Sequence, residues 1–259
     1  MNVLTVLTLI LFILMVAIGG KKGARSFAVL FLNFIILFAS IVFMTNPDAN
    51  PLVITFFACT LIAAATLFII NEWSSKSITA FVSTMITISL LLLFISFMTS
   101  QTMIQGFGEE EIEELGAFSL LIGLDFTQIA ASVIVMSTIG AIADTAISIA
   151  SPMQELQRQH RETSIKRLFL FGMKIGRDIL GTNANTLFFA FFGGQLALLI
   201  WFKDLSYSLG DMVNAKVFAN EMITIFCAGI GVALIIPITA ILTALHLVRD
   251  DRKKKTRNQ

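Results

Sequence analysis

The sequence has few of the residues on which soluble enzymes and metalloproteins depend. Its 259 residues include 2 cysteines, 2 histidines, 1 tyrosine and 4 prolines, and only 14% of side chains are charged. Cys59 and Cys227 fall within apolar runs, and His160 and His246 are far apart. With no CxxC, no HExxH and no acidic cluster inside the apolar runs, no metal or haem cofactor is expected. "GGKKGARS" (19–26) combines glycines with lysines but lacks the GxxxxGK[ST] spacing and follows no strand, so it reads as a loop, not a nucleotide cradle. A serine elbow and a Ser-His-Asp set are missing, and no catalytic residue is assigned. An intramembrane aspartyl protease built on Asp144 and Asp178 is disfavoured, because Tyr-Asp and Gly-x-Gly-Asp are absent and Tyr207 lies in a loop.

What fills the space is apolar. Hydrophobic residues make up 56% of the chain and mean hydropathy is +0.87, too high for a water-soluble domain of this length. The chain is expected to be an all-α integral membrane protein. Runs able to cross, at about 20 residues each, lie near 2–19, 27–45, 52–70, 79–99, 124–150, 180–202 and 219–247, which makes about seven transmembrane helices. The first run lacks a basic n-region and a cleavage site, so it reads as a retained helix. Three regions follow: an N-terminal hairpin (1–45), a membrane core (46–247) and a basic tail (248–259).

Of the 18 Lys and Arg residues, 16 lie on the side that holds "KKGAR", Lys76, the segment from Arg158 to Arg177 and the tail; only Lys203 and Lys216 lie on the other. The positive-inside rule then places the N-terminus outside and the C-terminus in the cytoplasm of a cell membrane. Glu109, Glu110, Glu111, Glu113 and Glu114 gather outside, as a solvated loop or as a cation-concentrating vestibule. The basic tail suits topology or anionic lipid, and nothing in the pattern suggests nucleic acid.

Within "STIGAIADTAISIASP" (137–152), Asp144 has no opposite charge within seven residues. A carboxylate deep in a membrane helix costs roughly 3 kcal/mol on insertion scales, so it is by default a functional-site candidate. Ser137, Gly140, Ala141, Ser148 and Ser151 share its face at helical spacing, a narrow stripe of small side chains open to close helix approach. Pro152 is expected to interrupt the helix register, and Ile165–Ile175 is expected to lie on the inner membrane surface as an amphipathic helix. Beyond it, Asp178, Thr182, Asn185 and Phe189 recur at helical spacing with Asn183 and Thr186 beside them, and these polar groups are expected to face the bundle. Glu221 reads equally as an interfacial anchor or a site residue, and Pro237 as a kink.

"GGKKGARS", "GAIADTAISIASPMQEL", "IGRDILGTNANTLFFAFFGG" and "GIGVALIIPITA", in this order, resemble the YibE/F-like family of bacterial membrane proteins over nearly the whole chain. The length is similar to the shorter, YibF-like type. The family name implies no particular activity. More distantly, an aspartate late in a Gly-containing helix, an amphipathic inner stretch, then Arg, Thr, Asn and a Gly-Gly exit are similar to the SecD/SecF branch of the RND permeases. That resemblance implies that the third to seventh helices form the last five of a six-helix RND half. It matches Asp144 to the family's helix aspartate and Arg177 to its arginine, and it gives Asp178 no counterpart. No large extracytoplasmic domain interrupts the chain, and the hairpin 1–45 is extra.

The expectation is a proton- or ion-coupled permease subunit. Asp144 would carry the coupling proton, about 9 Å inward of the midplane by helical rise; Thr182, Asn183, Asn185 and Thr186, with Arg177, would stabilise its charge, Asp178 is counted in the coupling group without an assigned role, and Ser148 and Glu221 are accessories. The other expectation is a non-transporting scaffold or assembly subunit in which Asp144 only pins helices together. With no internal repeat to supply a second half, the chain is expected to pair with itself or with a longer YibE-like chain. Gly140, Gly172 and Gly176 are candidate close-approach positions, the last two alternatively packing on the inner membrane surface.

Overall fold

A computed structural model describes residues 2–102, 125–160 and 163–257 of the chain. Among these residues every regular element is helical. The acidic segment around Glu109–Glu114 lies outside the described residues.

Helix α1 (Val3–Met44) starts at Asn2, whose side chain accepts from the Leu4 amide, and it is broken at Gly20, where φ is 56° and ψ −136°. A side chain at that φ is strained, which only glycine avoids. The rings of Phe12 and Phe27 are 4.9 Å apart, whereas 15 residues of straight helix would separate them by about 22 Å. The chain therefore doubles back at Gly20 into two arms. Gly23 lies so close to the Met15 carbonyl that a Cβ would collide with it. "GGKKGARS" is the turn.

Helix α2 (Pro51–Ala64) is capped by Asn50, whose side chain accepts from the amides of Leu52 and Val53 at 2.9 and 3.3 Å. Pro51 sits in the first turn, where an amide has no helical partner to lose. The helix widens into a π-type turn over Ala65–Ile70, and there Asn33 of α1 donates to the Thr66 hydroxyl at 3.2 Å. Arg25 and Glu72 form an exposed ion pair at 2.7 Å on the same side.

The remaining helices are α3 (Ser75–Thr102), α4 (Phe126–Gln159), α5 (Ile165–Gly194), α6 (Leu196–Asp204), α7 (Leu209–Asn214) and α8 (Lys216–Arg257). Five of the described helices are long and apolar enough to cross a membrane, and a sixth is when α5 and α6, which meet at 50°, count as one broken span. The protein is a multi-pass helical membrane protein. At the short α7, Ser208 and Asp211 form a reciprocal capping box, with Ser208 Oγ donating to the carboxylate at 2.6 Å. Those bonds hold the Asp211 carboxyl below its ordinary value.

Helix α4 is the centre, packed against α2, α3, α5 and α8. Ile88 and Leu91 of α3, Ile134, Val135 and Ile142 of α4, and Ile235 of α8 are fully buried in one core. A second core continues inward through Ile149, Met153, Leu168, Ile236, Ala244 and Leu247. Hydroxyls line the inner part of the α3–α8 seam: Thr243 donates to Thr79 at 3.2 Å, and Ser83, Thr87 and Thr239 are buried at helical spacing along it. At the inner end Lys76 reaches Ser151 at 3.2 Å, and Asp250 meets Ser75 at 3.5 Å and His246 at 3.7 Å.

Two expectations about the inner half are corrected. Pro152 does not interrupt α4, which runs on to Gln159. The ring sits on an exposed flank while Ile149 and Met153 beside it are fully buried, so packing on both sides of the proline outweighs one lost amide bond. Residues Ile165–Ile175 are not a separate surface helix either. They are the first turns of α5, with Leu168, Gly172 and Gly176 buried. A Cβ at Gly172 would meet Met153 and Ala240, and one at Gly176 would overlap Ile236. Both glycines thus serve close approach within the chain, and neither packs on the membrane surface.

Candidate functional site

Most of α4 is enclosed, so what it leaves open is informative. Val133, Ser137, Gly140, Asp144 and Ser148 are exposed at spacings of three and four, and the residues between them are buried or half-buried. This is one narrow stripe along the central helix. A Cβ built on Gly140 would meet nothing within 4 Å, so the stripe is open and not a packed seam within this chain. Asp144 has no hydrogen-bond or ion-pair partner among the described residues. Ser148 is one turn inward of Asp144, and Pro152, a turn further on the same flank, supplies no amide to the Ser148 carbonyl. A carboxylate, a hydroxyl and a carbonyl without its proline-blocked amide donor therefore lie along one strip of a helix long and apolar enough to cross a membrane.

Next to Asp144, Thr145 points inward and is fully buried. Its hydroxyl donates to the Ala141 carbonyl at 2.7 Å and accepts from the Asn183 amide of α5 at 2.8 Å. This bond fixes the depth of α5 against α4 beside the acid. Of the polar stretch in "GTNANT", only Asn183 is turned to the bundle by such a contact. Asp178, Thr182, Asn185 and Thr186 are exposed, as are Arg177 and Phe189, the last at 69%. The expectation that the amide and hydroxyl groups of this stretch face the bundle is thus corrected for Thr182, Asn185 and Thr186, whereas Asn183 does face it. The face of α5 that packs is set by Gly172, Gly176 and Asn183, and at 100° per residue Asp178 and Asn185 fall on its far side. Thr186, three residues beyond Asn183, hydrogen-bonds back to the Thr182 carbonyl at 2.8 Å.

Glu221 is half-buried near the start of α8 and accepts a hydrogen bond from the Gln195 side chain. Together they line a small recess with Phe192, Leu198, Phe218 and Met222, which does not include any residue of the stripe. Cys59 and Cys227 are buried. Among the described residues, no three His, Cys, Asp or Glu side chains converge as a metal site would require.

Thr145 and the hydroxyl seam were not singled out from the sequence. Thr84 and Thr239 are fully buried and their hydroxyl oxygens have no partner among the described residues. The signal was available, since Thr79, Ser83 and Thr87 recur at four-residue spacing opposite Thr239 and Thr243.

Comparison with known proteins agrees with an assignment by family. A family model described as YibE/F-like protein matches residues 7–249, nearly the whole chain. No curated protein and no solved structure matches.

Proposed function

The chain belongs to the YibE/F-like family, and from that premise we propose that it is a subunit of a proton- or ion-coupled permease in which Asp144 carries the coupling charge. The observation that carries this reading is the placement of an unpartnered carboxylate on the open stripe of the central helix. A low-dielectric setting and nearby hydroxyl and amide dipoles act on such an acid in opposite directions, so its charge responds to the arrival of water or an ion. Thr145 and Asn183 hold the helix pair beside it, while Thr182 and Thr186 occupy the adjoining flank of α5. Arg177 and Asp178, about two turns inward, add charge on the cytoplasmic side. The similarity of these motifs to the SecD/SecF branch of RND permeases supports the same reading. In it the two arms of α1, then α2, α3, α4, the bent α5–α6 span and α8 make seven crossings of the cell membrane, with the N-terminus outside.

The second reading, a scaffold or assembly subunit, is favoured by the packing of α3, α4 and α8. Their shared centre is filled by fully buried Ile88, Leu91, Ile134, Ile142 and Ile235, so no passage runs through that core. Any route must follow the stripe. Asp144→Asn keeps shape and hydrogen bonding but cannot titrate. It is expected to abolish complementation of a deletion strain, scored on a panel of metals, osmolytes and antibiotics, at unchanged membrane abundance, with Asp144→Glu retaining part of it. Full complementation by Asp144→Asn would leave the scaffold reading standing.

A further inference from the structure

The exposed polar strip poses a physical problem that one chain does not solve. Lipid offers no hydrogen bonds, and unsatisfied polar groups facing it cost several kcal/mol each by order of magnitude. Yet Asp144 and Ser148 lie open on α4, and Thr182 and Asn185 lie open on α5. The two faces also differ in kind. Near the depth of Asp144 the α4 strip offers an acceptor, the carboxylate, and one turn inward a carbonyl to which Pro152 donates no amide. At that depth the outer side of α5 offers donors, the Asn185 amide and the Thr182 hydroxyl, and further in it carries the adjacent charges of Arg177 and Asp178.

Their depths match. Helices α4 and α5 run antiparallel, and the Thr145–Asn183 bond sets their register. Counting from it, Asp144 stands level with Asn183–Ala184, and Ser148 with Leu180–Gly181. A two-fold axis along the membrane normal keeps every residue at its own depth, so it brings acceptors of one copy to donors of the other twice over. The floor between them is clear, because neither Gly140 nor Gly181 has anything within 4 Å of where a Cβ would stand. Small residues at such a floor let helices approach closely in lipid.

We propose that a second copy of this chain docks along the α4 stripe, its α5 outer face against Asp144 and Ser148, so that each acid is completed by the other copy's Asn185 and Thr182. This rests on the permease reading for the use of the acid, but not for the contact itself.

The test uses two differently tagged full-length copies co-expressed in membranes, one carrying Ser148→Cys and the other Gly181→Cys, with mild oxidation. The expected result is a disulfide-linked pair of the two tags, at about ten times the yield of a Leu93→Cys control on the exposed face of α3. Adding Gly140→Leu, at a position where a Cβ meets nothing in the isolated chain, should cut that yield about tenfold without lowering abundance. Cross-linking no stronger than the control, indifference to Gly140→Leu, or capture only of a different protein overturns the proposal. Cross-linking with full activity of Asp144→Asn sinks the permease reading and leaves the dimer; loss of activity without cross-linking does the reverse.

Discussion

Asn183 and Asp178 stand five residues apart on one helix and face nearly opposite ways, and that difference decides their roles. Asn183 reaches Thr145 at 2.8 Å, and interhelical hydrogen bonds of this kind contribute about 0.6 kcal/mol on average and up to about 1.7 kcal/mol in membrane proteins. A double-mutant cycle of Asn183→Ala and Thr145→Ala, read by unfolding in detergent micelles, is expected to return a coupling in that range, whereas Asn185→Ala with Thr145→Ala should return none. The unusual cost of Asp144 was legible in the sequence, because charge inside an apolar run needs no structure to be noticed. Which of Thr182, Asn183 and Asn185 turns inward was not, since all sit within one turn of a helix. The answer depends on Gly172 and Gly176 setting the packed face, which is a property of Ile236 and Met153 on other helices.

Helix positions follow hydropathy closely and helix ends do not. The apolar runs near 52–70, 79–99 and 219–247 reappear as α2 with its π-type turn, α3 and α8. The ends of α4 and α5 extend well past their apolar stretches because the inner core of Met153, Leu168 and Leu247 rewards continuation, and local signals such as Pro152 do not report that distant contact. At this scale Gly176→Leu is expected to destabilise the α5–α8 contact by about 1–3 kcal/mol through overlap with Ile236, and Ile236→Ala should recover part of the loss, as a thermal melt would show. Gly20→Ala, forced to a positive φ, should cost about 1–3 kcal/mol in the turn of α1. It should raise proteolysis at "GGKKGARS" with little effect on the core. At the α7 start the sign is that of a depressed carboxyl: the Asp211 cap adds stability above the ordinary carboxylate range and loses it as pH falls through the lowered value. The Asp211 carboxyl resonance should therefore titrate below the ordinary aspartate range, and Ser208→Ala should raise that midpoint.

For the molecule as a whole, the charge asymmetry predicts which ends face which compartment. With Cys59 and Cys227 buried, cysteines placed at Ser206 and at Gln159 should differ towards an impermeant thiol reagent. Ser206→Cys is expected to label in intact cells and Gln159→Cys only after permeabilisation, and the opposite pattern would reverse the orientation. The order of the helices along the chain has a further consequence, in the time domain of biosynthesis. Helix α8 closes both cores, through Thr243 against Thr79, Gly231 against Leu91 and Ile142, and Ile236 and Ala240 against the α5 glycines, yet it is translated after all of them. At about 5–20 residues per second, α4 waits on the order of 5–20 s for the ribosome to finish α8. During that interval the hydroxyls of α3 lack the helix that covers them in the finished fold, so the newly made chain must hold an open polar seam for seconds before its last helix closes it.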